Sequence, residues 1–150
     1  MEVSMIDFDQ SLIGREFEAE SPVEVTAEMI ANFCYAIGET GPRRNDPTDP
    51  GNLSQNGLVA PPAFAGIFRL AELTFEKLPN GSRRLAAGME VDFVAPIRAG
   101  DRITMASRII EVYEKTGRTG AMVFMVIGST LRNQNGDVVA RIDHRFMHRP

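Results

Sequence analysis

The sequence predicts an α+β domain in which a curved antiparallel sheet wraps around one long, central apolar helix. Residues 62–78 carry apolar side chains on most of the circumference of the helix that they predict. A helix of this kind is buried by other elements. From residue 86 onward the chain predicts a meander of four strands, the element best able to surround that helix. We therefore expect residues 1–150 to form a single domain.

A strand and a short helix precede the long helix. Residues 17–25 predict the strand, and Thr26 is suited to cap the helix that follows, because its hydroxyl can accept a hydrogen bond from the first turn. Glu28 is favourable at the positive N-terminal end of that helix, and Gly38 ends it. The apolar face of the helix comprises Met29, Ile30, Phe33 and Ile37.

The segment between the two helices, residues 39–57, is polar and rich in glycine and proline. Its length and composition are typical of a functional loop. The long helix then begins with Pro62, since a proline in the first turn forfeits no helical hydrogen bond.

The four predicted strands span residues 86–94, 101–113, 120–131 and 137–148. Pro96 and Gly100-Asp101 predict the turn between the first two strands. Asn135-Gly136 predicts a type I′ hairpin between the last two, a turn that needs positive φ at both central residues. The third strand is apolar on both faces, which favours either an outer face covered in a dimer or a central strand within one subunit. Together these elements predict the hot-dog fold.

Composition argues against several classes of function. The net charge of −4 argues against non-specific nucleic-acid binding, which needs a basic face. Cys34 is the single cysteine and lies in the apolar pattern of the first helix, so we expect a buried, inert thiol and a cytoplasmic location. The N-terminus does not resemble a signal peptide, and no apolar run approaches the ~20 residues of a membrane helix.

Five segments, in order and spacing, resemble the MaoC-like hydratase/dehydratase family, especially its FAS1-like dehydratase branch. They are Gly38-Glu39-Thr40-Gly41-Pro42 with Asp46, residues 57–64 (GLVAPPAF), residues 91–101 (VDFVAPIRAGD), residues 117–120 (GRTG) and residues 133–137 (NQNGD). The resemblance covers about residues 12–150. It implies a hot-dog dimer, homomeric or heteromeric with a catalytic MaoC-like subunit. It also implies binding of an acyl thioester of coenzyme A or acyl carrier protein, with no cofactor besides that substrate.

Active members of that family add water to an enoyl thioester, or remove it from a 3-hydroxyacyl thioester, with a loop resembling Gly-Asp-x-Asn-Pro-x-His. Carried over residue by residue, Glu39 stands at the Asp position, Gly41 at the Asn position and Arg44 at the His position. An arginine does not give up its proton near neutral pH, so Arg44 cannot act as the general base. The resemblance leaves Glu39 as the candidate base, with Arg44 and Asn45 at or beside the family's histidine position.

A second departure lies at the start of the long helix. Where active hydratases present a backbone N–H to polarise the thioester carbonyl, this chain has Ala60-Pro61-Pro62, and prolines have no N–H. The N–H of Ala63 or Phe64 would have to replace that donor. FAS1-like members commonly carry this Ala-Pro-Pro pattern, and several form the non-catalytic half of a heteromeric hydratase.

The candidate residues also have structural interpretations. Glu39 is either a catalytic base or a loop acid, solvated or paired with Arg43 or Arg44. The two arginines, like Arg83 and Arg84, either bind a phosphate group or are solvated charges. Phe64, Ile67 and Phe68 line an acyl tunnel, fill the core, or do both. The expected substrate-binding residues are Arg43, Ala60, Ala63, Phe64, Ile67 and Phe68.

Polar groups elsewhere have weaker functional signals. Asn45 and Asp46 either orient a water molecule or hydrogen-bond their own loop backbone. His144 and His148 share one face of the last strand, at a spacing that is unusual for zinc sites. We expect these histidines to be structural or exposed, and we expect no metal site.

Three functions remain open from the sequence. The first is an acyl-thioester hydratase/dehydratase component, either self-sufficient through Glu39 or paired with a catalytic homologue. The second is a binding protein that holds an acyl thioester without chemistry. A hot-dog thioesterase is a third option, because such enzymes also use a carboxylate and a helix N-terminus.

Overall fold

The computed structural model describes residues 10–19, 21–39, 58–68 and 83–149. Within them lie six strands, one α-helix and two short 3-10 helices. The strands are β1 (Glu16–Glu18), β2 (Val23–Glu24), β3 (Arg83–Phe93), β4 (Arg102–Gly117), β5 (Gly120–Arg132) and β6 (Val138–Arg149). The helix α1 spans Ala27–Ile37, and the 3-10 helices span Gln10–Leu12 and Pro62–Ile67. No helix among these residues combines the length and apolarity needed to cross a membrane.

The strands form one antiparallel sheet in the order β1-β4-β5-β6-β3, with β2 also paired to β4. The predicted antiparallel sheet is confirmed, but the prediction of a simple four-stranded meander is wrong. Only β4, β5 and β6 follow one another across the sheet, because after β3, at one edge, the chain crosses past β6 and β5 to β4, which lies between β5 and β1. At the start of this crossing, the N–H groups of Val94 and Ala95 donate to the carbonyl of Val139. The crossing segment therefore stays attached to β6.

The strand predicted over residues 17–25 is divided into β1 and β2, which pair with successive parts of β4. Glu18 lies opposite Ala106 and Val23 lies opposite Ile103. Glu18 and Val23 are five residues apart, whereas their partners on β4 are three residues apart. The connection between β1 and β2 is therefore two residues longer than the facing part of β4. Pro22 lies in this interruption and has no N–H to offer a ladder.

The sequence signals that bound α1 are confirmed. The Thr26 hydroxyl accepts a hydrogen bond from the N–H of Met29 at 3.1 Å. Gly38 takes a left-handed conformation, with φ of 74°, and ends the helix. Ile30 and Cys34 are buried against the sheet, so the prediction of a buried thiol is confirmed.

The long helix predicted over residues 62–78 is described only at its start. Residues 62–67 form a 3-10 helix rather than the first turns of an α-helix, and residues 69–78 lie outside the described part. The N–H of Phe64 donates to the carbonyl of Pro61, three residues before it, at 2.9 Å. This is the bonding pattern of a 3-10 helix, whereas an α-helix bonds residues four apart.

The hairpin between β5 and β6 is confirmed, but the predicted type I′ turn is wrong. Gly136 has φ of 81°, whereas no described residue other than glycine has positive φ. The N–H of Gly136 donates to the carbonyl of Asn133, and the Asn133 side chain accepts hydrogen bonds from the N–H groups of Asn135 and Asp137. These contacts stabilise a turn over residues 133–136, so only the glycine needs the left-handed region.

The apolar character of β5 on both faces is explained within one chain by its central position. Its inner face, from Val123 to Leu131, is buried in the core. On its outer face Phe124 stacks on Tyr113 of β4, with ring centroids 5.2 Å apart. Val126, also on that face, is only 8% exposed. The dimer that the sequence also allowed for this strand is not needed to cover it.

Candidate functional site

A short extended segment, residues 58–60, leads into the two prolines and lies against the crossing between β3 and β4. Val59 forms an antiparallel bridge with Arg98. The N–H of Ala60 donates to the carbonyl of Ile97 and the N–H of Ala99 donates to that of Leu58, each at 2.8 Å. This pairing fixes the position of Pro61, the residue directly before the 3-10 helix.

A first cavity, here called the Pro61 cavity, lies beside this pairing and has a volume of about 300 Å³. It is lined by residues 59–62 and 93–97 and by Val139. Of the predicted substrate-binding residues, the structure brings Ala60 to this cavity.

A second cavity of about 310 Å³, here called the Met105 cavity, lies at the other end of the 3-10 helix. Its lining comes from the β1–β2 edge, α1, the end of the 3-10 helix and β4. The lining residues are Ala19, Ser21, Val23, Met29, Ile67, Phe68, Ile103 and Met105. The sequence prediction that Ile67 and Phe68 line a pocket therefore agrees with their position.

The linings of both cavities lack charged side chains among the residues described. Ser21 is the one hydroxyl residue in the Met105 cavity. These surfaces suit an apolar group, because burying apolar surface is favourable and burying an unpaired charge is costly.

Phe64 lies in the core, and it is not among the described residues that line the two cavities. Its side chain has no exposed surface, and its ring makes edge-to-face contacts with Phe33 at 5.6 Å and Phe68 at 5.9 Å. Two N–H groups, those of Ala63 and Phe64, could replace the missing donor to the thioester carbonyl. The N–H of Phe64 is used within the 3-10 helix. The exposed Ala63 carries the other.

Glu39 follows the glycine that ends α1. It is half-buried, and its N–H donates to the carbonyl of Cys34 at 2.9 Å. The rest of the predicted catalytic loop, with Arg43, Arg44, Asn45 and Asp46, lies outside the described residues. The assignment of Glu39 as a base therefore stays a prediction.

The two histidines of β6 lie on the inner face of the sheet, as the strand alternation predicts. His148 is buried, and the ring of His144 stacks on Phe146 with centroids 5.9 Å apart. These positions agree with the structural role expected from the sequence. The backbone of Arg83 and Arg84 lies at the start of β3.

The residues that line the Met105 cavity besides Ile67 and Phe68 were not predicted from the sequence. Ile103 and Met105 alternate with exposed neighbours along β4, so strand periodicity could have placed them on the inner face. Ala19, Val23 and Met29 join them only because β1, β2 and α1 meet there in three dimensions. No local signal marks that meeting.

The fold and the cavities define a class of protein: a hot-dog domain with apolar pockets between its sheet and its helices. The family described as "FAS1-like, dehydratase domain region" matches residues 11–142. The chain belongs to this family of FAS1-like dehydratase domains, as the sequence resemblance predicts.

Similar proteins agree with this membership. A UPF0336 protein of Streptomyces coelicolor is 32% identical over 114 residues, which are 73% of this chain and 76% of that protein. A solved "MaoC-like dehydratase" superposes with a TM-score of 0.75 at 18% identity, over 91% of this chain and 42% of its own. This chain thus spans about two fifths of that protein. A chain of the HadBC (3R-hydroxyacyl-ACP dehydratase) complex from Mycobacterium tuberculosis superposes with a TM-score of 0.71 at 22% identity, over 91% of this chain and 96% of its own.

Proposed function

We propose that this chain is the substrate-binding component of an acyl-thioester hydratase/dehydratase. Its ligands are enoyl or 3-hydroxyacyl thioesters of coenzyme A or acyl carrier protein. The observation that carries the proposal is the Met105 cavity, a pocket whose described lining carries no charge, in a chain of a dehydratase family.

The Met105 cavity is the proposed place of the acyl chain. Its volume of about 310 Å³ is at the lower end of the range for ligand pockets, which suits a short or medium acyl chain. Each methylene buried there contributes about 0.8 kcal/mol. Affinity should therefore rise with chain length until the cavity is full.

The proton transfers are the second part of the proposal. The described lining of either cavity offers no carboxylate or imidazole, and the chain has Arg44 at the family's histidine position. We assign the acid–base work to a second hot-dog subunit that retains the Asp and His. The heteromeric HadBC complex is a precedent for such an assembly in a protein of the same fold.

The surface proposed for that subunit is the free edge of β3. Within the described sheet β3 pairs only with β6. Leu85, Met89 and Phe93 on this strand are large apolar side chains with about half of their surface exposed. A long apolar edge strand is a template for pairing with another sheet.

A binding experiment tests the placement of the acyl chain. Calorimetric titration with enoyl-CoA thioesters of increasing length should show binding to the wild type. Ala19→Phe should weaken binding of the longer thioesters at least ~10-fold by filling the Met105 cavity, since ~1.4 kcal/mol corresponds to that factor. Val94→Phe, a matched change in the Pro61 cavity, should leave affinity unchanged. The reverse pattern would contradict the placement, and no binding by the wild type would contradict the function.

A turnover experiment tests the division of labour. The loss of enoyl absorbance from crotonyl-CoA should be negligible with this chain alone. It should appear when a homologue with an intact Asp/His loop is added. Turnover by this chain alone that Glu39→Gln abolishes would instead show a self-sufficient hydratase. Release of free thiol would show a thioesterase, and binding without turnover in either mixture would show a binding protein.

A further inference from the structure

We infer that Asp101 and Gln134 are positioning residues. Together they hold the segment that leads into Pro61, and with it the start of the 3-10 helix whose end, at Ile67 and Phe68, lines the Met105 cavity. Asp101 lies directly before β4 and Gln134 lies in the hairpin between β5 and β6. Neither residue is among the described lining of the Pro61 or the Met105 cavity, so any effect on a ligand there acts through the backbone that they hold.

Asp101 uses both of its side-chain oxygens. Its Oδ2 accepts a hydrogen bond from the N–H of Arg98 at 2.8 Å, and its Oδ1 accepts one from Nε2 of Gln134 at 3.1 Å. Oε1 of Gln134 in turn accepts from the N–H of Arg102 at 3.0 Å. The carboxylate is only 8% exposed, so a lost hydrogen bond there is not readily replaced by water.

The turn that Asp101 closes is attached to two other parts of the site. The N–H of Asp101 also donates to the carbonyl of Arg98, so both backbone polar groups of Arg98 are bonded to Asp101. Arg98 forms the antiparallel bridge with Val59, and Val59 belongs to the segment directly before Pro61. On its other side the turn exchanges hydrogen bonds with Val25, directly before the cap of α1.

Gly100 allows this double attachment. Its φ of 92° lies in the region that residues with a side chain rarely adopt. In that conformation its N–H donates to the carbonyl of Val25 at 2.7 Å, and the carbonyl of Asp101 accepts from the N–H of Val25 at 2.8 Å. The entrance of α1 and the segment before Pro61 are therefore fixed to one turn, which the Asp101–Gln134 pair holds.

The donor and acceptor pattern gives a direct test by exchange of the two side chains. In Asp101→Asn, one of the three hydrogen bonds is lost in every orientation of the two side-chain amides. In each orientation two donors face each other: either the NH2 groups of the new asparagine and Gln134, or one of these groups and a backbone N–H. In Gln134→Glu two carboxylate oxygens face each other. The double variant Asp101→Asn/Gln134→Glu restores all three bonds: the new amide accepts from Arg98 and donates to the new carboxylate, which also accepts from Arg102. It also keeps the wild-type charge.

The first measurement is amide hydrogen exchange by NMR on the full chain, which needs no ligand. Exchange at Ala60 and Ala99 should be at least ~10-fold faster in each single variant, while amides within β5 stay as in the wild type. The double variant should return both rates to within ~3-fold of the wild type. Asp137→Asn, which removes a charge from the same hairpin, is the control and should change neither rate.

The second measurement rests on the proposed function and follows the dissociation constant of an enoyl-CoA thioester, well below the melting temperature. Each single variant should weaken binding ~5-fold or more, and the double variant should restore it. Unchanged exchange at Ala60 and Ala99 in the single variants, or a double variant no better than the worse single variant, would overturn the inference. If Asp101→Asn does not fold, the same two measurements on Gln134→Glu, a change of an exposed side chain, test the inference. A wild type that binds no thioester would contradict the proposed function alone, because the amide exchange rates test the Asp101–Gln134 pair without a ligand.

Discussion

At the scale of single residues, Phe64, which the sequence allows to line a tunnel, to fill the core or to do both, lies in the core. Its ring is completely buried and meets the rings of Phe33 and Phe68 at nearly right angles. Such edge-to-face pairs contribute beyond the area that they bury. The stability of the contact between α1 and the 3-10 helix therefore depends on this ring.

We expect Phe64→Ala to lower the free energy of unfolding by about 3–5 kcal/mol, because it removes a buried ring and leaves a cavity. Tyr35→Ala is the matched control: Tyr35 lies on α1, is 89% exposed, and its loss should change stability by no more than about 0.5 kcal/mol. Urea denaturation measures both. Equal effects of the two substitutions would contradict the core role of Phe64.

At the scale of elements, a buried polar contact between two serines lies among apolar side chains on the inner face of the sheet. Ser107 of β4 and Ser129 of β5 lie directly opposite each other, and their hydroxyl oxygens are 2.8 Å apart. Both side chains are buried. Each hydroxyl is thus satisfied by the other, so removing one leaves the other buried without that bond.

We expect Ser107→Ala and Ser129→Ala each to cost about 1–3 kcal/mol of unfolding free energy, because each leaves a buried hydroxyl unsatisfied. The double variant should cost less than the sum of the two, with a coupling of about 0.5–3 kcal/mol. Thr104→Ala, on the exposed side of β4, is the control. Additive effects in thermal or urea unfolding would show that the two hydroxyls stabilise the sheet independently.

At the scale of the whole molecule, the surface that we propose for a second subunit is the edge of the sheet at β3. An exposed apolar edge is usually blunted by charge, often a lysine, when a protein stays monomeric. Leu85 on β3 is 45% exposed, whereas Ile110, on the outer face of β4, is 44% exposed and lies away from this edge. Substitutions of Leu85 and Ile110 can therefore be compared at nearly equal side-chain exposure.

We expect Leu85→Lys to weaken association with a second hot-dog subunit at least ~10-fold, because it places a charge on the proposed interface. Ile110→Lys should leave association unchanged. Sedimentation of the chain alone, and mixed with a homologue that carries the Asp/His loop, measures both forms of assembly. An effect of Ile110→Lys without one of Leu85→Lys would instead place the partner on the outer face of the sheet.

Local signals predicted a good part of the fold. The cap at Thr26 and the glycine at the end of α1 depend on residues within one or two turns, and both are confirmed. The hairpin at residues 133–137 was predicted in its place but with the wrong turn. The reason is that the side chain of Asn133, not the Asn-Gly pair alone, decides the turn's hydrogen bonds.

The sequence by itself determined the fold class, the family, the caps of α1 and the burial of Cys34. These follow from hydrophobic periodicity, from contacts within a few residues and from ordered motifs. Only the tertiary structure decided that β3 pairs with β6 rather than with β4, that Pro62 opens a 3-10 helix, and that two cavities whose described lining is uncharged flank it. Each of these depends on hydrogen bonds and packing between residues far apart in the chain, such as Ala60 with Ile97, which no local pattern specifies.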